Sequence, residues 1–348
     1  MKTSYVSNLA VQNAMRSTIA LGQLELIKLQ QEVTTGKYAD AGAALGATSS
    51  RSVSLKNELE RLASLKETNA IVKQRLSASQ SALETMRKAA EQINTTLIAT
   101  LGNDDTTRLN IAKTDINGAL SSFVAAANIQ FNGEFLMSGI NTDIKPLAEY
   151  NATSLAKASF VTARDDYMDA NGIATMKDFT VAQMNDFITT KIEPMYTGSQ
   201  WDTDWSQASD QNIMSRISAN EVVQSTTNTN TMGVRKFALA AVLSIELLGE
   251  DLSSDVRTAV NMASQNYVQQ SSTGIIETSS TLGISEARLK KADTSIDAQK
   301  KLVQLHITDI EGVDVYEAST RMNALLTQIE TSYTLTSRLQ QMSLINFL

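Results

Sequence analysis

The sequence predicts a mainly α fold: a long antiparallel helical bundle or coiled coil built from both chain ends, with a small α+β domain inserted between them. Three observations predict it. The only prolines are Pro146 and Pro194, so both flanks lack the strongest helix breaker. Leucine-type side chains recur in those flanks at steps of four and three, the heptad spacing of packed helices. More than half of the aromatic residues fall between Phe131 and Trp205, as expected of a region with its own core.

Each element follows from local pattern. Near the start Leu9, Ile19, Leu26, Leu29 and Val33 form a loose apolar stripe, and Lys2 and Arg16 are the only charges before Glu25. A helix is predicted from about residue 52 to 100, led by Leu55, Leu59, Leu62 and Leu65. Its seam is Val72, Leu76, Ser79, Leu83, Met86, Ala90, Ile93 and Leu97, with Ser79 the one polar member. Such a helix is roughly 70 Å long. "LGNDDTT" supplies a turn, and Leu109, Ala112, Ile116, Ala119 and Phe123 start the next seam. Asn132-Gly133 favours positive φ and predicts a hairpin turn with Phe135 and Met137 packed beneath it. "TVAQMNDFITTKIE" reads as a helix ending at Pro194, and "IMSRISANEVVQSTTNT" as β-rich, since Thr and Val favour strands. Leu289, Ala292, Ile296, Gln299, Val303, His306 and Ile310 predict another seam, interrupted by Gly312. Asp314 and Glu317 suit a capping box. The closing helix carries Met322, Leu325, Ile329, Tyr333, Leu339, Met342 and Ile345, and apolar side chains continue to Phe347 and Leu348.

Composition narrows the function. Net charge is −7 with no basic block, which disfavours nucleic-acid binding. With no cysteine, disulfides, thiol nucleophiles and Cys-ligated metals are excluded. The opening "MKTSYVSNLAVQNAMRSTIA" has no apolar h-region or cleavage site, so a Sec signal peptide is not expected. The greasiest run, Phe237 to Leu248, contains Ser244 and Glu246 and is too short to cross a bilayer. No P-loop, GxGxxG, GxSxG or HExxH is present, and one histidine leaves few acid–base options near pH 7. We therefore expect no enzyme, no catalytic, cofactor-binding or metal residues, no cofactor and no membrane insertion. His306, on an apolar seam, reads as a core or interface residue. Asp202 and Asp204 read as solvated surface, because the glycine and glutamate of a calcium loop are missing downstream. Glu58, Arg61 and Lys66 read as a solvated helix face.

Three stretches carry a family resemblance. "QQEVTTGKYADAG" at 30–42 has a Thr-Gly-Lys turn after a helix. "IQFNGEFLMSGINTDIKP" at 129–146 joins Asn132, Gly133, Phe135 and Gly139 to a short polar run and a proline. "VDVYEASTRMNALLTQIETSYTLTSRLQQMSLINFL" at 313–348 closes on Ser-Leu-Ile-Asn-Phe-Leu. Together they resemble the bacterial flagellin superfamily, and within it the hook-associated proteins of type 3, which join hook to filament. "DAGAALGATSS" after Tyr38 departs from the Asn-x-x-Asp-Asp-Pro-like turn of many relatives.

The resemblance implies a structural role in the flagellum: export through the flagellar type III apparatus, then assembly as a junction ring. Its partners would be neighbouring copies, the first hook-associated protein, flagellin and an export chaperone. It also implies five segments: an N-terminal assembly helix at 1–45, wall helices at 46–141 and 235–311, an outward-facing insert at 142–234, and a C-terminal assembly helix at 312–348. The assembly interface would comprise Leu9, Ile19, Leu26, Leu29, Met322, Leu325, Ile329, Tyr333, Leu339, Met342, Ile345, Phe347 and Leu348. The physics of the ends agrees: a long helix with one narrow apolar face orders well only if that face is buried, and neighbours supply more cover than a lone hairpin. Flagellin itself, or a cytosolic coiled-coil scaffold or secretion chaperone, are the alternatives.

Overall fold

The computed structural model describes residues 8–345, and the side chains of residues 10–338. The elements in order are α1 (Asn8–Thr35), α2 (Ala41–Leu45), α3 (Ser49–Thr100), α4 (Thr106–Ala127), β1 (Gln130–Phe131), β2 (Glu134–Phe135), α5 (Leu155–Ala170), α6 (Val181–Phe187), α7 (Glu193–Thr197), α8 (Gln200–Asp204), β3 (Met214–Arg216), β4 (Val222–Gln224), α9 (Met232–Leu247), α10 (Ser254–Glu311) and α11 (Val315–Ile345). The protein is mainly helical, and its four described strands make two separate antiparallel hairpins. The chain divides into two units, one from Met1–Ser64 with Ser295–Leu348, the other from Leu65–Thr294.

In the second unit the heptad pattern became the core. All eight seam residues of α3, Val72 to Leu97, are buried, as are Leu109, Ala112, Ile116, Ala119 and Phe123 of α4. Asp105 caps α4 by accepting from the amides of Thr107 and Arg108. The greasy run proves to be α9, a central helix buried on nearly every side. Its ring neighbour is Phe123, stacked on Phe237 at 3.6 Å between centroids. Ser244 donates to the Ala240 carbonyl at 2.7 Å and Glu246 is ion-paired, so the two polar residues in that run are satisfied. At Gly233 and Gly274 the α9 and α10 backbones touch, since a Cβ on Gly233 would stand 2.8 Å from the Gly274 carbonyl carbon.

Residues 142–234 bring in the aromatics, though not as a core of their own: they join one continuous cluster with α3, α4 and α9. Trp201 and Trp205 stack at 5.7 Å, Tyr150 stacks on Trp205 at 5.6 Å, and Phe160, Tyr167, Phe179 and Phe187 form a second cluster. Burial and a hydrogen bond to Asp186 push the Tyr167 phenol up to about 12. Two charge-reversed clamps hold this region on α9, and Tyr267 of α10 joins one of them. Lys157 donates to Glu246 at 2.8 Å, with Tyr150 donating to the same carboxylate at 3.0 Å. Lys236 pairs with Glu193, and Tyr267 donates to Glu193 at 2.8 Å. Burial alone would raise the Glu193 pKa, but these two hydrogen bonds outweigh it and hold it below the usual carboxylate range.

Three expectations are corrected. The helix at 180–193 does not end at Pro194. It widens into a π-helical turn at Ile188–Ile192, with the Glu193 amide donating to the Ile188 carbonyl, and runs on as α7. The wider turn absorbs the N–H that proline lacks and the clash its ring would cause one turn back. His306 is exposed and so not a core residue, which leaves only its interface reading, because α10 shifts register after Ile296 and buries Ile307 instead. The Asp314 cap is one-sided: its carboxylate accepts from the amides of Tyr316 and Glu317, while the Glu317 side chain bonds forward to Arg321. Asp202 is exposed, whereas Asp204 is half-buried and accepts from the Gln200 side-chain amide at 3.1 Å; Glu58 grips Arg61 on an exposed helix face.

Candidate assembly surface

The first unit is pinned at one turn. α1 stops at Gly36, whose φ of 68° allows its amide to reach the Glu32 carbonyl at 2.8 Å. The chain then crosses Gly312: the Val313 amide donates to the Gly36 carbonyl and the Tyr38 amide to the Glu311 carbonyl, both at 3.0 Å. Beneath this crossing lies the buried Glu311 carboxylate. Ser52 and Lys56 donate to it, and the Lys37 ammonium is 3.6 Å away. Hydrogen bonds from Lys56 and Ser52 hold its pKa below the usual carboxylate range against burial. One carboxylate therefore fastens the α1–α2 turn, the start of α3 and the α10–α11 turn.

From this turn α1 and α11 pair. Met15, Ile19, Gly22, Leu26, Leu29 and Val33 form a shielded seam on α1, and Ala318, Met322, Leu325, Ile329, Ser332 and Thr336 one on α11, both in steps of four and three. Gly22 lets the helices meet closely, since a Cβ there would lie 3.3 Å from Cγ1 of Ile329. Gln23 donates to the Tyr333 hydroxyl at 2.9 Å.

Of the expected interface residues, Ile19, Leu29 and Ile329 are buried in the pair; Leu26, Met322 and Leu325 are half-buried; Tyr333 is exposed at the seam's edge. Leu9, Leu339, Met342 and Ile345 lie where side chains are not described, and Phe347 and Leu348 lie outside the described residues. Sequence reading missed a second stripe. Leu21, Leu24 and Ile27 are 64%, 60% and 61% exposed, and helical geometry places them about 180° from the shielded seam. Their i, i+3, i+6 spacing was the available signal. It also missed Gly22 and Glu311, neither of which any apolar period marks.

At 129–146, β1 and β2 pair through the expected two-residue turn, with φ of 52° at Asn132 and 84° at Gly133. Met137 is buried and Phe135 half-buried. Gly139 has a firmer reason: at φ 65°, a Cβ would lie 2.4 Å from the carbonyl oxygens of Ser209 and Gln211. Among the described residues, no cluster of acidic or histidine side chains could hold a metal, and no helix is long and apolar enough to cross a membrane.

These features define a class: helical proteins whose two ends form a paired, partly uncovered apolar hairpin. Comparison makes it specific. The bacterial flagellin N-terminal helical region matches residues 6–142, and the bacterial flagellin C-terminal helical region matches residues 265–348. Among solved structures, one assigned to a flagellar hook-associated protein of Vibrio parahaemolyticus is 12% identical, with a TM-score of 0.54, over 76% of this chain and 97% of that one. Bacillus cereus FlgL is also 12% identical, with a TM-score of 0.48, over 73% of this chain and 99% of that one. Among curated proteins no sequence matches. The chain belongs to the bacterial flagellin family, and is a flagellar structural protein of that type.

Proposed function

We propose that this chain forms the junction between flagellar hook and filament, assembling through its terminal helices. The observation that carries the assembly reading is α1 itself: it has apolar faces on opposite sides, and α11 covers one of them. A helix apolar on both sides belongs in an interior, and neighbouring copies supply that interior. Support for the junction rather than the filament comes from the resemblance of the Asn132–Gly139 stretch and of the Ser-Leu-Ile-Asn-Phe-Leu ending to the hook-associated proteins. The five-segment organisation stands with this proposal, as do the partners: sister copies, the first hook-associated protein, flagellin and an export chaperone. Location on the extracellular flagellum after type III export belongs to it as well.

The test is location and copy number. Sheared flagella are separated into hook–basal bodies and filaments, and the chain is quantified by mass spectrometry. A trace amount at the hook tip supports the junction. An amount matching bulk filament makes the chain a flagellin, and absence from both fractions removes the flagellar reading.

A further inference from the structure

The terminal unit carries a receptor as well as a stripe. Between the first part of α3 and the last part of α10, both within that unit, runs an open groove of about 820 Å³. Leu59, Ala63 and Ala298 supply its apolar lining, and Glu60, Asp297, Lys300 and Lys301 supply a charged rim. Somewhat under two turns of helix fit along it, since Ala298 to Gln304 rises about 9 Å and Leu21 to Ile27 rises the same. Three aliphatic side chains occupy less than its volume. The charges match too: Glu25 and Lys28 flank the exposed stripe, and the rim offers partners of both signs. The stripe is opposite the seam that α11 covers, so α1 enters such a groove without leaving its own partner.

We infer that the Leu21–Leu24–Ile27 stripe of one copy docks into the Leu59–Ala63–Ala298 groove of the next. This deepens the assembly reading and rests on it. The contact is heterologous, so it propagates around a ring or along a helical array instead of closing as a dimer. A patch of three anchors is far smaller than a stable pair of proteins buries, so it holds only when repeated among many copies. That keeps the exported chain single until it reaches its place.

The chain has no cysteine, which makes the test clean. Cells co-express two full-length chains, one with Leu24→Cys and one with Ala298→Cys. Sheared flagella are oxidised, and dimers are mapped by mass spectrometry. The expected product is a disulfide between positions 24 and 298 of different copies, absent when either variant is expressed alone. Chain abundant in the flagella with no disulfide, or with only 24–24 or 298–298 links, overturns this inference and leaves the assembly reading standing. Chain absent from the flagella overturns both. A second pair of variants guards against misfolding. Leu24→Met retains incorporation, while Leu24→Asp lowers it at least tenfold with the near-ultraviolet spectrum of the purified chain unchanged. Normal incorporation of Leu24→Asp overturns the inference.

Discussion

Glu311→Ala tests the turn on which the terminal unit depends. The wild-type carboxylate is buried and receives Ser52, Lys56 and Lys37. Breaking a wholly buried ion pair costs about 3–5 kcal/mol. Lys56 and Lys37 are about half exposed and can return their charges to water, so most of that figure is discounted. Ser52 is buried and loses its acceptor, which costs about 1–3 kcal/mol. The sum is about 2–3 kcal/mol, lost locally from the turn. With two units a single melting curve is a poor readout, so the assay is amide hydrogen exchange at Tyr38 and Val313, whose N–H groups bond across the crossing. A loss of 2 kcal/mol makes exchange about 30-fold faster. Acid gives the same result in wild type. The folded pKa is depressed, so the stabilisation is complete above the ordinary value of about 4.3 and disappears as pH falls through the folded value. Unchanged exchange at both amides in Glu311→Ala, or equal acid sensitivity in wild type and variant, refutes the assignment of the turn to this carboxylate.

Four further outcomes are expected. Gly139→Ala destabilises the insert-bearing unit by about 3 kcal/mol or more, since the new Cβ meets two carbonyl oxygens at a positive φ; urea unfolding followed by tryptophan fluorescence checks this. Asn230→Ala removes the acceptor of the Trp201 indole N–H and of Ser206, and costs about 2–3 kcal/mol with a red shift in fluorescence. Ser79→Ala raises stability by about 1 kcal/mol, because the Ser79 hydroxyl is buried in the α3 seam without a partner; an unchanged or lower urea midpoint contradicts that. The Glu193→Gln and Lys236→Met pair couples by about 1–3 kcal/mol in a double-mutant cycle at neutral pH, and the coupling fades below the ordinary carboxylate pKa because the folded Glu193 value is depressed.

The sequence alone determined α3, α4 and their buried faces, but of α10 only the part from Leu289 on, whose seam it placed partly wrong. Val72 to Leu97 and Leu109 to Phe123 are legible because a helix repeats every 3.6 residues and burial selects apolar side chains at that period. The Asn132-Gly133 turn was legible because its backbone conformation depends on those two residues and little else. Tertiary structure decided what has no local signature. Pro194 reads as a stop, yet the buried aromatics around it make a continued, widened helix the better solution. His306 sits at a heptad position, but α10 turns a different face inward by that point. Gly139 needs its missing side chain because of two carbonyls some 70 residues later, and Glu311 is useful only where Lys37, Ser52 and Lys56 converge. Leu21, Leu24 and Ile27 look like core in one dimension. Only the placement of α11 on the other side of α1 reveals them as surface, because burial depends on what packs where and not on hydrophobicity alone.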